Sequence, residues 1–186
     1  MTVEEIYAEL AEHMLQGMMT HEQFANYYQF LGLDGYSKCH EYHFYEESCN
    51  YRELCSYYIS RENKLIPEIN FTNVSVIPSN WHRYSRQEVD NGTRRSAVKD
   101  GLEKWVQWEF STKKLYEAKF KELYDMGEIS HAMKIKALIK DVDKELENAN
   151  HYLLCKQIAD FDISTILSEQ KEKKEKYENK IRCMKY

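Results

Sequence analysis

Hydrophobic residues recur along most of this chain at intervals of three and four, the period of a helix that buries one face. Near the N-terminus the series is Val3, Ile6, Leu10, Met14, Met18, Ala25, Tyr28 and Leu31, with one polar interruption at His21 and Glu22. Thr2 and Glu5 form a capping box at its start, and the Gly32-Leu33-Asp34-Gly35 turn ends it, so a helix is expected over about 3–32. Gly17 and the pattern Thr20-His21-Glu22-Gln23 offer a break, but one continuous helix is the expectation. A second helix runs over about 35–62, closed by Asn63 with Pro67 beyond. A third covers about 96–126 on the row Val98, Leu102, Trp105, Glu109, Thr112, Tyr116 and Leu123. Gly127 then turns the chain into a fourth over about 128–159, whose row is Ile135, Leu138, Val142, Glu145 or Leu146, Ala149 and Leu153.

Residues 67–95 break the pattern. They hold both prolines, several Asn, Ser and Thr, and short apolar runs such as Val74-Ser75-Val76-Ile77, with no sustained helical period. A connection of that length is uncommon in a compact domain, but it suits a bundle in which consecutive helices lie parallel and the chain must travel back. From Asp162 the chain begins with Ile163, Ile166 and Leu167 and then becomes a run of Lys and Glu. The expected organisation is a four-helix bundle over 1–161 and a charged, solvated helical extension over 162–186.

Composition narrows the class. Six Gly, two Pro and 31% charged residues in 186 describe a helix-rich single domain, all-α. A net charge of −5 argues against a nucleic-acid partner, and no apolar run approaches the roughly 18–20 residues of a membrane span. The opening MTVEEIYAEL is acidic and has no apolar core, so no secretory signal is expected. Five cysteines without a CxxC are expected as reduced thiols of a cytoplasmic protein. The Asn-x-Ser/Thr triplets at Asn70, Asn73 and Asn91 are then chance matches. No glycine-rich phosphate loop supports nucleotide binding.

Candidate chemistry lies in the second helix. Helical spacing puts Tyr36, His40, His43, Glu47, Asn50, Leu54 and Tyr57 on one stripe. Burying such groups without partners costs roughly 2–7 kcal/mol for each neutral one and more for a charge, and one metal ion would satisfy several together. The opposite arrangement is also open: the polar stripe faces water and Phe44, Tyr51, Cys55 and Ile59 face the core. His40 and His43 do not form an HExxH zinc signature, though as a His-x-x-His pair they could hold a metal by themselves. Glu22, Glu109, and Glu145 or Glu147 interrupt the other helices in the same manner, each a carboxylate that otherwise reaches the surface or pairs with Lys or Arg.

Over about residues 18–155 the chain resembles the ferritin-like superfamily of di-iron carboxylate bundles, in which two helices each give a Glu and the other two each give Glu-x-x-His. Glu22-Gln-Phe-Ala-Asn-Tyr-Tyr-Gln-Phe-Leu looks like the first-helix segment, and Glu46-Glu47-Ser-Cys-Asn50-Tyr-Arg-Glu-Leu like the second. Trp108-Glu109 is similar to the third-helix glutamate, and Glu145-Leu-Glu147-Asn148-Ala-Asn150 lies where the fourth-helix ligands come. Asn50, Asn148 and Asn150 stand where the family has histidine, so His43, one turn before Glu47, and His151, one turn after Glu147, are the replacement imidazoles. The resemblance thus implies a metal set drawn from Glu22, His43, Glu47, Asn50, Glu109, Glu145, Glu147 and His151. It would hold iron, as a di-iron centre, or another divalent metal. It also implies a homo-oligomer and either a small oxidase or peroxidase or an iron-handling protein. The alternative is a non-catalytic interaction protein, a prophage or accessory gene product, with a degenerate site, no metal, and its charged C-terminal helix as the contact.

Overall fold

The capping box forms: the Thr2 N–H donates to the Glu5 carboxylate (2.7 Å) and the Glu5 N–H to Thr2 Oγ1 (3.2 Å). From there α1 runs unbroken over Val3–Phe30 in this computed structural model, which describes residues 1–67 and 89–184. Thr20 does not cap a second helix, because its hydroxyl donates back to the Gln16 carbonyl at 2.8 Å inside the continuous ladder. α1 ends in a Schellman turn. The Leu33 N–H reaches Tyr28 O (2.9 Å) and the Gly32 N–H reaches Gln29 O (3.0 Å), with Gly32 at φ 74°. α2 spans Asp34–Glu62 and stops at Asn63, a left-handed residue whose N–H bonds Ile59 O.

α3 covers Asn91–Asp125 and starts earlier than the apolar period indicates. Asp90 Oδ1 accepts the Thr93 N–H at 2.7 Å, and this cap supports a first turn too polar to show in a hydrophobic pattern. Arg94 ties that turn down, donating to Leu31 O (2.8 Å) and Val89 O (3.0 Å). Gly127, at φ 80°, makes the turn into α4, Ile129–Ile158, and α5 (Ile163–Ser168) is capped by Asp162. α6, Gln170–Met184, packs on α2 and buries Lys173, Tyr177 and Ile181. The expected crossover lies outside the described residues from 68 to 88. No helix among the described residues is long and apolar enough to cross a membrane.

The chain divides into two compact units, each assembled from segments far apart in sequence. One joins Met1–Ile6 to Ser96–Phe161; the other joins Tyr7–Arg95 to Asp162–Tyr186. In the first, the α3 row Val98, Leu102, Trp105, Glu109, Thr112, Tyr116 and Leu123 is buried throughout, as its spacing requires. In the second, Leu10, Met14, Phe24 and Tyr28 of α1, Leu31 just beyond it, and Tyr36, Leu54 and Tyr58 of α2 are buried, and Tyr7 meets Tyr58 at a ring separation of 4.9 Å.

Candidate metal centre

The two orientations open for α2 are decided by burial. Tyr36, His40, His43, Glu47 and Leu54 are buried, whereas Phe44, Tyr51 and Cys55 are half-buried and Ile59 is exposed. The polar stripe therefore faces inward, and α2 holds a carboxylate and two imidazoles out of water. His43 Nδ1 lies 3.2 Å from Glu46 Oε2, and Glu47 is 7% exposed on the next turn.

A third imidazole joins them from α1. His21 is 1% exposed, and its Nδ1 sits 3.0 Å from His40 Nδ1. Its ring centroid is 5.3 Å from those of both His40 and His43, and Phe24 and Tyr28 stack on His40. Burial, reinforced by neighbouring imidazoles, holds His21 and His40 well below the ordinary histidine value, so both are neutral near pH 7. Cys39 lies against the same group. Burial pushes its thiol up, but hydrogen bonds with His43 and Tyr177 and the charges of His43 and Lys173 outweigh that and hold it below the usual range.

On α3, Glu109 is fully buried and accepts the Trp105 indole N–H at 2.9 Å, one turn along the helix. On α4, Glu145 is half-buried, while Glu147 and His151 are exposed, His151 Nε2 lying 3.6 Å from Cys155 Sγ. Asn150 has its amide bonded to Leu146 O. Glu22 is half-buried. It accepts a hydrogen bond from Asn26 and lines a surface cleft of about 480 Å³ with Ser37, Lys38, Glu41 and Lys174. Asn50 is half-buried. Of the expected ligands, His43, Glu47 and Glu109 are thus withdrawn from water, and the α4 pair Glu147 and His151 is not. His21, Glu46 and Cys39 join the picture without having been singled out as ligands. The signal for His21 was its place on the row Leu10, Met14, His21, Tyr28, where an apolar residue belongs.

The donor chemistry fits a divalent cation. His43 with Glu46 and Glu47 offers nitrogen and anionic oxygen from one helix. Asn50 offers only a neutral carbonyl oxygen, a weaker ligand than the imidazole the family pattern calls for.

No family model matches this chain, and no curated sequence does. Solved structures do match. A humanized archaeal ferritin superposes with a TM-score of 0.73, 13% identity and coverage of 92% of this chain and 94% of that one. The open-pore ferritin of the hyperthermophilic archaeon Archaeoglobus fulgidus gives a TM-score of 0.72 at 14% identity, covering 91% and 93%. A closed form of the Archaeoglobus fulgidus ferritin, engineered by site-directed mutagenesis, gives 0.70 at 14% identity, covering 94% and 97%. The protein is an all-α bundle, and its fold is ferritin-like.

Proposed function

We propose that this chain is a metal-binding protein of the ferritin-like fold, taking iron or another divalent cation through the α2 donors His43 and Glu47, with Glu46 beside them. The supporting observation is that His43 and Glu47 are both buried on the inward stripe of α2, with Glu46 Oε2 3.2 Å from His43 Nδ1, so nitrogen and anionic oxygen donors stand together out of water. Likeness to ferritins makes iron the first metal to test. A bound cation would supply Lewis acidity and, for iron, a redox couple.

Elemental analysis of protein purified without chelators is the test. Retention of metal is expected, about two equivalents if the two-metal arrangement holds, and Glu47→Gln should lower it. No metal after anaerobic iron loading would reject this reading. It would select the second one, an interaction protein with a degenerate site, which the exposed Glu147 and His151 and the backbone-tied Asn150 favour.

Self-association belongs to the same proposal, since the matched ferritins are distinguished by an open pore and a closed form. Sedimentation velocity should find a species larger than 22.4 kDa. All five cysteines are free and three are exposed, which supports a reducing compartment.

A further inference from the structure

We infer that the cleft lined by α1, α2 and α6 binds a small organic cation, an elongated amine of the diamine or polyamine class. The cleft shares no lining residue with the α2 donors His43, Glu46 and Glu47, and its role stands whether or not they hold a metal.

The cleft has a volume of about 480 Å³, inside the roughly 300–1,000 Å³ usual for small-molecule sites. Its charge is unbalanced: the carboxylates of Glu22, Asp34, Glu41 and Glu178 face only two ammonium groups, those of Lys38 and Lys174. Both ammonium groups are already engaged, Lys38 with Glu41 and Lys174 with Asp34 at 3.1 Å. That leaves Glu22 on α1 and Glu178 on α6 as the excess, which attracts a cation and repels an anion. Aromatic rings add a second attraction, since Phe44 and Tyr45 line the same cleft with centroids 5.4 Å apart. At the base of the cleft Ser37 is only 7% exposed, and among the described residues no hydrogen-bond partner reaches its hydroxyl. A hydroxyl this buried is ordinarily hydrogen-bonded, so it calls for a partner from the cleft, and it can accept an ammonium N–H. Among the described residues, no three carboxylates of the cleft bring oxygens within 4.8 Å of one another. The negative charge is therefore spread along the walls, which suits an extended amine and not a single metal ion.

The test is calorimetric titration of the full chain with putrescine and spermidine at low ionic strength, with butanediol as the uncharged counterpart of putrescine. The expected result is saturable binding of one amine per chain, weakened by added salt, and no binding of butanediol. Glu22→Gln and Glu178→Gln should each weaken amine binding roughly two- to fivefold, as for a part-exposed charge pair. Ser37→Ala should weaken it about two- to tenfold, the worth of one hydrogen bond. Glu172→Gln removes the same charge from exposed α6 surface outside the cleft and should leave binding unchanged. Melting curves check that the variants fold; should one of the cleft variants fail to fold, the butanediol and Glu172→Gln comparisons still decide. Equal weakening by Glu172→Gln would trace the binding to the net charge of −5 and overturn the inference. Displacement of the amine by one equivalent of Mg²⁺ would overturn it in favour of a metal ion, and no binding of either amine would overturn it outright.

Discussion

At the scale of single residues, the buried imidazoles set how stability depends on pH. His21 and His40 titrate well below 6.5 when folded, so as pH falls the unfolded chain takes up protons first. Their contribution is intact above about pH 6.5 and is lost progressively below it, at up to about 1.4 kcal/mol per pH unit for each histidine. His13, pushed down to about 4 by burial, acts in the same direction. Thermal melts of the metal-free protein from pH 7.5 to 5 should show a falling midpoint, and His40→Gln should flatten the slope; an unchanged slope would remove His40 as the cause. Trp105→Phe deprives the buried Glu109 of its indole donor and should cost about 1–3 kcal/mol in urea unfolding. The loss should shrink when Glu109 is already Gln. His43, Glu47 and Glu109 were singled out in the sequence because each sits mid-row on its helix, with the facing of the α2 stripe left open. His21 was not, because it stands beside Glu22 and the pair reads as one polar interruption. In the folded chain only His21 turns inward, while Glu22 reaches the surface cleft.

At the scale of elements, α6 departs most from its sequence. A run of Lys and Glu reads as a solvated extension, yet the helix lies on α2. Its buried apolar residues, Tyr177 and Ile181, are one turn apart, and Lys173 covers apolar surface with its stem while its ammonium sits 4.7 Å from the centre of the Tyr36 ring. Gln170 Oε1 accepts the Gly35 N–H at 2.9 Å, and Lys174 pairs with Asp34 at 3.1 Å. Contact is so close at Gly35 that an added Cβ would stand 2.7 Å from Gln170 O and 2.8 Å from Lys173 Cβ. Gly35→Ala should therefore destabilise by about 1–3 kcal/mol from overpacking, reduced by up to about 1 kcal/mol of helix propensity. The measurement is urea unfolding with limited proteolysis of α6. A more stable variant would mean that α6 is not held against that turn. Amphipathic pattern alone could not find this docking, because so few apolar residues in a charged helix give too weak a period.

At the scale of the whole molecule, the fold class was readable because a helical period sustained over four long segments leaves few alternatives to an all-α bundle. Which buried donors meet was not readable, since that depends on pairings between distant helices that no local pattern encodes. Thiol burial gives a test at this scale. A thiol reagent applied to the native chain should label exposed Cys49, Cys155 and Cys183 first, half-buried Cys55 more slowly, and Cys39 only on unfolding. Mass spectrometry of timed samples reads the order, and early labelling of Cys39 would contradict the packing of α6 on α2. The interleaving of the two units has a consequence for synthesis. A ribosome that has made all of α1 and α2 has completed neither unit, because one awaits Ser96–Phe161 and the other awaits Asp162–Tyr186. The emerging chain thus carries half-finished cores until nearly all of it has been translated, a long exposure of apolar helix faces during which chaperone capture has its opening.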